Sequence, residues 1–211
     1  MKALSIDDFW AQGLAALNCK ADDEQISKLK QYVDLLHRWN KIYNLTSVRD
    51  PRQMIPVHIF DSLAVADYIE GKNCLDVGSG GGLPGIPLAI MQPQRQFTLL
   101  DTNGKKTRFM QQAVIELGLK NVNIIQTRVE EHKFDSLFDT IISRAFASVL
   151  NYLNTSSRHL AQNGQILAMK GQYPDDELSL LPNEFVIKYA KTLEVPEIAG
   201  GRCLINIIRN T

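Results

Sequence analysis

The residues best suited to chemistry lie between Leu75 and Gly85, in the run LDVGSGGGLPG. Five glycines fall in the eight residues from Gly78 to Gly85, and each gives up more backbone freedom on folding than any other residue, a cost that a plain turn does not need. Glycines there let the chain turn tightly and bring main-chain N–H groups against a ligand with no side chain between. Gly80, Gly82 and Gly85 satisfy GxGxxG, the pattern that opens the helix of dinucleotide-binding folds, so a nicotinamide or flavin enzyme is one reading. Two carboxylates favour another. Asp76 stands two residues before the first glycine, where it would repel a pyrophosphate and attract a cationic or amine-bearing ligand. Asp101 follows 25 residues later, at the end of the next apolar run, FTLLD; a carboxylate there can accept both hydroxyls of a ribose. S-Adenosyl-L-methionine joins such a ribose to a sulfonium and an ammonium group and carries no phosphate, and it is the cofactor these residues predict. No GxxxxGK[ST] occurs, which weighs against nucleotide triphosphate hydrolysis.

Given a sulfonium donor, the methyl acceptor is read from the groups the chain offers it. Exocyclic amine methylation goes with an [N/D/S]PP[Y/F] motif after the fourth strand, and the chain has no Pro-Pro pair. Carbon-5 pyrimidine methylation needs a cysteine nucleophile near the fourth or fifth strand, whereas Cys74 lies in the first predicted strand and Cys203 in the last. At the end of the fourth strand stand Ser143, Arg144 and Phe146, in FDTIISRAF. A guanidinium and an aromatic ring suit a flat base that is stacked and bonded along its acceptor edge, as guanine O6 and N7 would be. Guanine N7 attacks through a lone pair without deprotonation, so Arg144 is expected to act by positioning and no general base is expected. An ordinary ion pair at a strand end is the other reading of Arg144. Ser143 has no evident histidine and acid partners, which leaves hydrolase chemistry little support. His37, His58, His132 and His159 show no HxxxH or HExxH spacing, and no metal site is expected.

A parallel sheet is what gathers such residues at one edge, and the pattern after Gly71 predicts one. Short apolar runs alternate with helices: CLDVG, a helix from Pro84, FTLLD, a helix from Lys105 that ends at Gly118, VNIIQ, FDTIISRA, a helix near 149–160, and GQILAMKG. EFVIKYAKTLEV and RCLINIIRN are joined only by PEIAGG, a loop short enough for an antiparallel hairpin closing the sheet. Upstream, Ile26, Leu29, Val33, Leu36, Trp39 and Tyr43 recur three or four apart and predict one amphipathic helix over 22–43, capped by Asp22 or Asp23. Trp39 and Tyr43 lie on its apolar stripe and are expected in the core. NLTSVRDP reads as a loop, and a second helix is expected over 54–69. Within it His58 and Asp61, three apart in HIFD, are expected to bond to each other and brace the cofactor loop. The expected division is a helical extension over 1–70 and a core over 71–211.

With 211 residues, 45% hydrophobic and 22% charged, the chain falls in the globular range and outside the disordered and collagenous classes. Lys and Arg number 23, as do Asp and Glu, so a nucleic-acid partner would need a local patch. Lys105, Lys106 and Arg108, with Arg49 and Arg52, could form one; a solvated helix N-terminus is the plainer reading. Three separated cysteines argue against a disulfide framework and for a reducing cytoplasm. No signal-peptide core stands at the N-terminus and no apolar stretch approaches a membrane span.

NKIYNLTSVRD, HIFDSL, LDVGSGGGLPGIPLA, FTLLDTNGKKTRF, RVEE and DTIISRAFAS together closely resemble the bacterial small-subunit rRNA guanine-N7 methyltransferases, the glucose-inhibited division protein B family, over nearly the whole chain. The resemblance implies a class I S-adenosylmethionine-dependent methyltransferase fold (Rossmann-like), an N-terminal helical extension, and methylation of guanine N7 in 16S rRNA of the small ribosomal subunit. Carried over residue by residue, it implies cofactor contacts at Gly78, Leu83, Val129, Glu130 and Arg144; Gly80 and Asp101 join them from the reading above. Val129 and Glu130 would flank the adenine. Lys105, Arg128 and Lys170 match basic positions of the family and, with Lys106, are expected on the RNA side. Gly81 is a departure, since proline is common there, and it is expected to loosen the loop modestly. The protein is expected to act as a monomer in the cytoplasm, with no membrane association.

Overall fold

The structure, a computed structural model, describes residues 4–144, 146 and 148–210; Ala145 and Ala147 of DTIISRAFAS and the first three residues of the chain lie outside the described residues. Helix α1 (Ile6–Ala16) opens the chain, its start capped by the Ser5 hydroxyl. Helix α2 (Asp23–Tyr43) carries a full capping box, with the Asp22 carboxylate on the Gln25 N–H and the Gln25 side chain on the Asp22 N–H. It ends at Asn44, whose left-handed backbone (φ 52°) breaks the repeat. Leu29, Tyr32, Val33, Leu35 and Leu36 are buried along it. Tyr43 is not: at the helix end it is 39% exposed, contrary to its expected core place, and Trp39 is only partly buried, its ring tilted against those of Tyr43 and Phe109 at centroid distances of 5.1 and 5.7 Å. The stripe runs past the surface it packs against.

The expected helix over 54–69 is instead four pieces. Asp50 accepts from the Arg52 N–H and starts α3 (Pro51–Met54) three residues early. A π-helical stretch (Ile55–Phe60), α4 (Asp61–Leu63) and a 3-10 turn (Ala66–Tyr68) follow. Pro56 withholds one N–H from the α ladder, and wider π turns are common where side chains are aimed at a site.

The sheet comprises β1 (Asn73–Val77), β2 (Gln96–Asp101), β3 (Val122–Gln126), β4 (Phe138–Ser143), β5 (Leu160–Lys170), β6 (Phe185–Leu193) and β7 (Arg202–Arg209) in the order β3-β2-β1-β4-β5-β7-β6. The first five are parallel; β7 enters antiparallel between β5 and β6, the hairpin the sequence predicts. Helices α5 (Gly85–Met91) and α6 (Gly104–Glu116) cover one face together with the N-terminal helices, and α7 (Val149–Ser156) and α8 (Asp175–Leu178) cover the other. Period-two alternation sets the faces: Cys74 points to the α5 side, while Leu75 and Val77 point to the α7 side. No described helix is long and apolar enough to cross a membrane.

Candidate active site

Parallel strands end at one edge, and the order reverses between β1 and β4, the switch point where ligands settle in open α/β sheets. Gly78 follows β1, Asp101 ends β2, Val129 and Glu130 follow β3, Ser143 and Arg144 end β4, and Lys170 ends β5. The topology thus brings every expected cofactor residue to this edge.

The glycine turn is built from the inside. Gly78 and Ser79 donate N–H groups to the Leu100 carbonyl at 2.8 and 3.0 Å, Gly82 and Leu83 donate to the Ser79 carbonyl at 2.8 Å, and Gly80 donates to Asp101 Oδ2 at 2.8 Å. Gly85 donates to Asp76 Oδ2 at 2.8 Å. Gly80 holds φ at +60°, with the Lys106 ammonium 3.8 Å from where a Cβ would sit; Gly82 holds φ at +88° and a Cβ there would lie 2.4 Å from Ile86. Both positions demand glycine. The main-chain donors expected to face a ligand are therefore largely engaged within the turn. A phosphate would find few of them, whereas a phosphate-free ligand needs only the close approach the bare Cα atoms allow.

Asp76 does not face a ligand as expected. Its face of β1 lies under α5; it is fully buried, Oδ2 latches Gly85, and Oδ1 has no partner. Burial raises its carboxyl to about 7. Asp101 is nearly buried, with Oδ2 on Gly80 and Oδ1 on the Asn103 N–H at 2.8 Å, so it ties the turn to the start of α6 and keeps lone pairs for hydroxyls. Leu83 and Val129 are buried and Glu130 is exposed, its carboxylate 3.9 Å from Arg128. One apolar and one polar neighbour suit a nucleobase.

Tyr32 of α2 was missed from sequence. It is fully buried and donates its hydroxyl to the Gly81 carbonyl at 2.5 Å, so the helical extension holds the glycine turn directly. Its place midway between Leu29 and Leu36 on the buried face was the available signal.

Arg144 occupies a second centre. Its guanidinium donates to Asp61 Oδ2 at 3.0 Å and to the Val57 carbonyl at 3.2 Å, and Arg202, from the start of β7, donates to Asp61 Oδ1 at 2.8 Å. Asp61 is 3% exposed, while Arg144 and Arg202 are 27% and 30% exposed. Arg144 therefore forms an ion pair at a strand end, and it also lines an open cavity. The expected His58–Asp61 bond does not form, because both carboxylate oxygens serve arginines and His58 Nε2 sits 2.9 Å from Thr46 Oγ1. Burial, then the Arg144 charge, lowers the imidazole to about 4. His58, Asp61, Arg144, Lys170 and Arg202 line a cavity of about 260 Å³. Arg202 was missed because neither composition nor spacing tells that β7 lies beside β5.

The remaining basic residues divide. Lys105 is exposed and Lys106 partly buried near Gly80; Arg128 is exposed between Glu130 and Glu131. Lys170 is enclosed, donating to the Phe146 carbonyl at 3.1 Å and lying 3.5 Å from Glu177. Arg52 departs from the expected patch, donating to the Leu4 carbonyl and lying over the Phe9 ring. Arg49 clips the loop after α2 through Asn40 and Asn44.

The family model for rRNA small subunit methyltransferase G matches residues 25–205. A ribosomal RNA small subunit methyltransferase G of Psychromonas ingrahamii is 50% identical over 187 residues, covering 89% of this chain and 90% of the relative. One of Shigella flexneri is 50% identical over 189 residues, with 89% and 91% covered. Among solved structures, TrmK of M. capricolum, in complex with S-adenosyl-homocysteine, is similar at a TM-score of 0.58 and 18% identity, over 73% of this chain and 70% of that one. TrmN of Thermus thermophilus is similar at 0.58 and 18%, over 74% and 49%. These two similarities are of fold.

Proposed function

The chain belongs to the rRNA small subunit methyltransferase G family, and on that premise we propose that it transfers a methyl group from S-adenosyl-L-methionine to N7 of a guanine in 16S rRNA. The observation that supports the cofactor is the glycine turn, whose N–H groups close on Leu100, Ser79, Asp76 and Asp101 and so fit a ligand without phosphates. Gly78, Gly80 and Leu83 would line it, Asp101 would take the ribose hydroxyls, and Val129 and Glu130 would flank the adenine. When bound, the cofactor supplies a methyl group that its sulfonium makes electrophilic.

The chain's own part is orientation. Arg144, fixed by Asp61 and the Val57 carbonyl, presents donors to the acceptor edge of the base, and nothing need remove a proton from N7. Arg144 follows β4, the strand paired with β1, and lines the cavity. Lys105, Lys106 and Arg128 would hold RNA phosphates and Lys170 would reach the same substrate. The protein acts as a monomer in the cytoplasm.

The test is transfer of labelled methyl to small subunits from a strain lacking this protein, then reduction and aniline cleavage at N7-methylguanine. Label with one cleavage site is expected. Label without cleavage overturns the N7 assignment; RNA binding without label or cofactor binding overturns catalysis in favour of a non-catalytic rRNA-binding protein.

A further inference from the structure

We propose that Tyr43, backed by Trp39, is a stacking shelf for an unpaired base of the RNA strand that carries the methylated guanine, with the cations around it holding that strand's phosphates. The inference rests on the rRNA methyltransfer reading and deepens it, adding a substrate contact outside the cavity.

Three rings run outward from the glycine turn. The Phe109 ring of α6 comes within 3.9 Å of where a Cβ on Gly81 would stand and is fully buried. Trp39 leans on Phe109 at a centroid distance of 5.7 Å, and Tyr43 leans on Trp39 at 5.1 Å while staying 39% exposed. An aromatic ring held by its neighbour on a helix, with part of its surface in water, has little freedom to lose when a second ring stacks on it. The surrounding charge says what stacks there. Residues 35–49 hold Arg38, Lys41 and Arg49 and no Asp or Glu; residues 102–115 hold Lys105, Lys106 and Arg108 and again none. The Trp39–Phe109 contact brings these two segments side by side. Arg49 spans the turn that ends in Tyr43, donating to the Asn40 carbonyl at 3.2 Å and to Asn44 Oδ1 at 2.7 Å. Lys105 and Lys106 stand one turn before Phe109 on its side of α6. Glu116 lies 3.6 Å from Arg38, whereas the other five form no ion pair among the described residues. In a chain whose acidic and basic residues are equal in number, this surplus is the local patch that an RNA strand needs. Cations for phosphates beside an aromatic face for a base are what grips single-stranded nucleic acid, and the grip tolerates any sequence because every base has a π-face.

Tyr43→Phe keeps the ring and Tyr43→Leu keeps an apolar side chain without one. Assayed on small subunits lacking the modification, with S-adenosylmethionine saturating, Tyr43→Leu is expected to raise the KM for subunits at least about fivefold, the worth of one base–aromatic stack, with kcat, cofactor affinity and melting temperature unchanged. Tyr43→Phe is expected to stay within about twofold of wild type. No change in Tyr43→Leu, equal losses in both variants, or a KM rise that comes with weaker cofactor binding overturns the shelf. Ile42, 71% exposed and about 100° further back around the helix, is the control. Ile42→Ala is expected to match wild type, and a rise equal to that of Tyr43→Leu makes the surface an apolar protein contact and overturns the proposal. The base is tested directly by fluorescence anisotropy with a short labelled oligoadenylate and an abasic oligomer of the same length. Wild type is expected to bind the oligoadenylate at least about fivefold more tightly, and Tyr43→Leu to bind the two alike, with its affinity for the abasic oligomer and its salt dependence those of wild type. A wild type that makes no distinction between the oligomers overturns the shelf. Because this binding needs no methyl transfer, the two readings fail separately. An active wild type without the base preference overturns only this inference, whereas a wild type that shows the preference and methylates no guanine N7 overturns the methyltransfer reading.

Discussion

Arg144 reaches the cavity proposed for the acceptor with its charge already answered by Asp61, which it shares with Arg202. That arrangement suits a side chain meant to orient a base beside a cationic methyl donor, since an unpaired guanidinium would oppose the donor's charge. Arg144→Ala and Asp101→Ala are therefore each expected to lose most methyl transfer while melting as folded proteins, Asp101→Ala chiefly through weaker cofactor binding by calorimetry; wild-type turnover in both would overturn the site assignment. Two buried groups give the site a pH signature. His58 titrates near 4 in the folded protein against an ordinary 6.5, so the unfolded chain binds more protons between those values and stability falls as pH drops through that window. Asp76 titrates near 7 against an ordinary 3.8, so the folded state keeps a proton the unfolded chain releases, and stability falls as pH rises from about 4 to 7. The two oppose each other. Urea midpoints at pH 4.5 and 7.5 are expected to show His58→Gln gaining on wild type at the acid end and Asp76→Asn gaining at the neutral end; differences independent of pH would show that neither burial shift exists.

At the scale of elements, the cofactor turn is clamped by α5 below it, α6 beside it and α2 across it. Tyr32 is the α2 contact, and Tyr32→Phe removes only the hydroxyl on the Gly81 carbonyl. The expected result is a cofactor dissociation constant raised several-fold with an unchanged fold, the effect of one buried bond of about 1 kcal/mol; calorimetry with S-adenosylmethionine checks it, and unchanged affinity would make the contact purely structural. Much of this frame was legible. Strands β2, β3 and β4, α6 with its stop at Gly118, and the final hairpin follow local signals of period, cap and turn, and the structure keeps them because sheet burial agrees with those signals. Over 51–68 the helical character was legible but its division into pieces was not, because a segment buried between α1, α2 and the sheet is covered on more than one side, and even His58, Asp61 and Ser62 are buried. The site divides the same way. Glycines and Asp101 announce themselves by type and spacing, whereas the pairing of Arg144 with Asp61 and Arg202 depends on β7 lying beside β5, a long-range fact.

At the scale of the molecule, one hydrophobic cluster runs unbroken from the N-terminal helices to the sheet. Trp10, Tyr32, Leu36 and Phe60 pack with Ile86, Leu99, Phe109 and Ile142, and Trp10 meets Phe60 edge-on at 5.8 Å. A helical extension that merely decorated a methyltransferase core would leave that core with its own closed surface. Here the α5 and α6 side of the sheet has its outer layer in α1, α2 and the π-helical stretch, and Gly13 admits Phe60 so closely that a Cβ there would lie 2.1 Å from the ring. Removing residues 1–70 would expose these side chains, each aromatic or aliphatic group worth about 1.5–3 kcal/mol of burial, against a total stability of about 5–15 kcal/mol. The 71–211 fragment is accordingly expected to be insoluble or to lack a cooperative melt, and to bind no S-adenosylmethionine because Tyr32 and its helix no longer hold the glycine turn. Expression of that fragment, with circular dichroism melting and cofactor calorimetry, checks this; a fragment that melts cooperatively and binds the cofactor would show that the extension serves the RNA alone. Fragment failure, in contrast, would mean that the segment carrying Tyr32, Thr46, His58 and Asp61 is a wall of the active site and a layer of the fold at once, so that cofactor turn, acceptor cavity and core are built by the same packing.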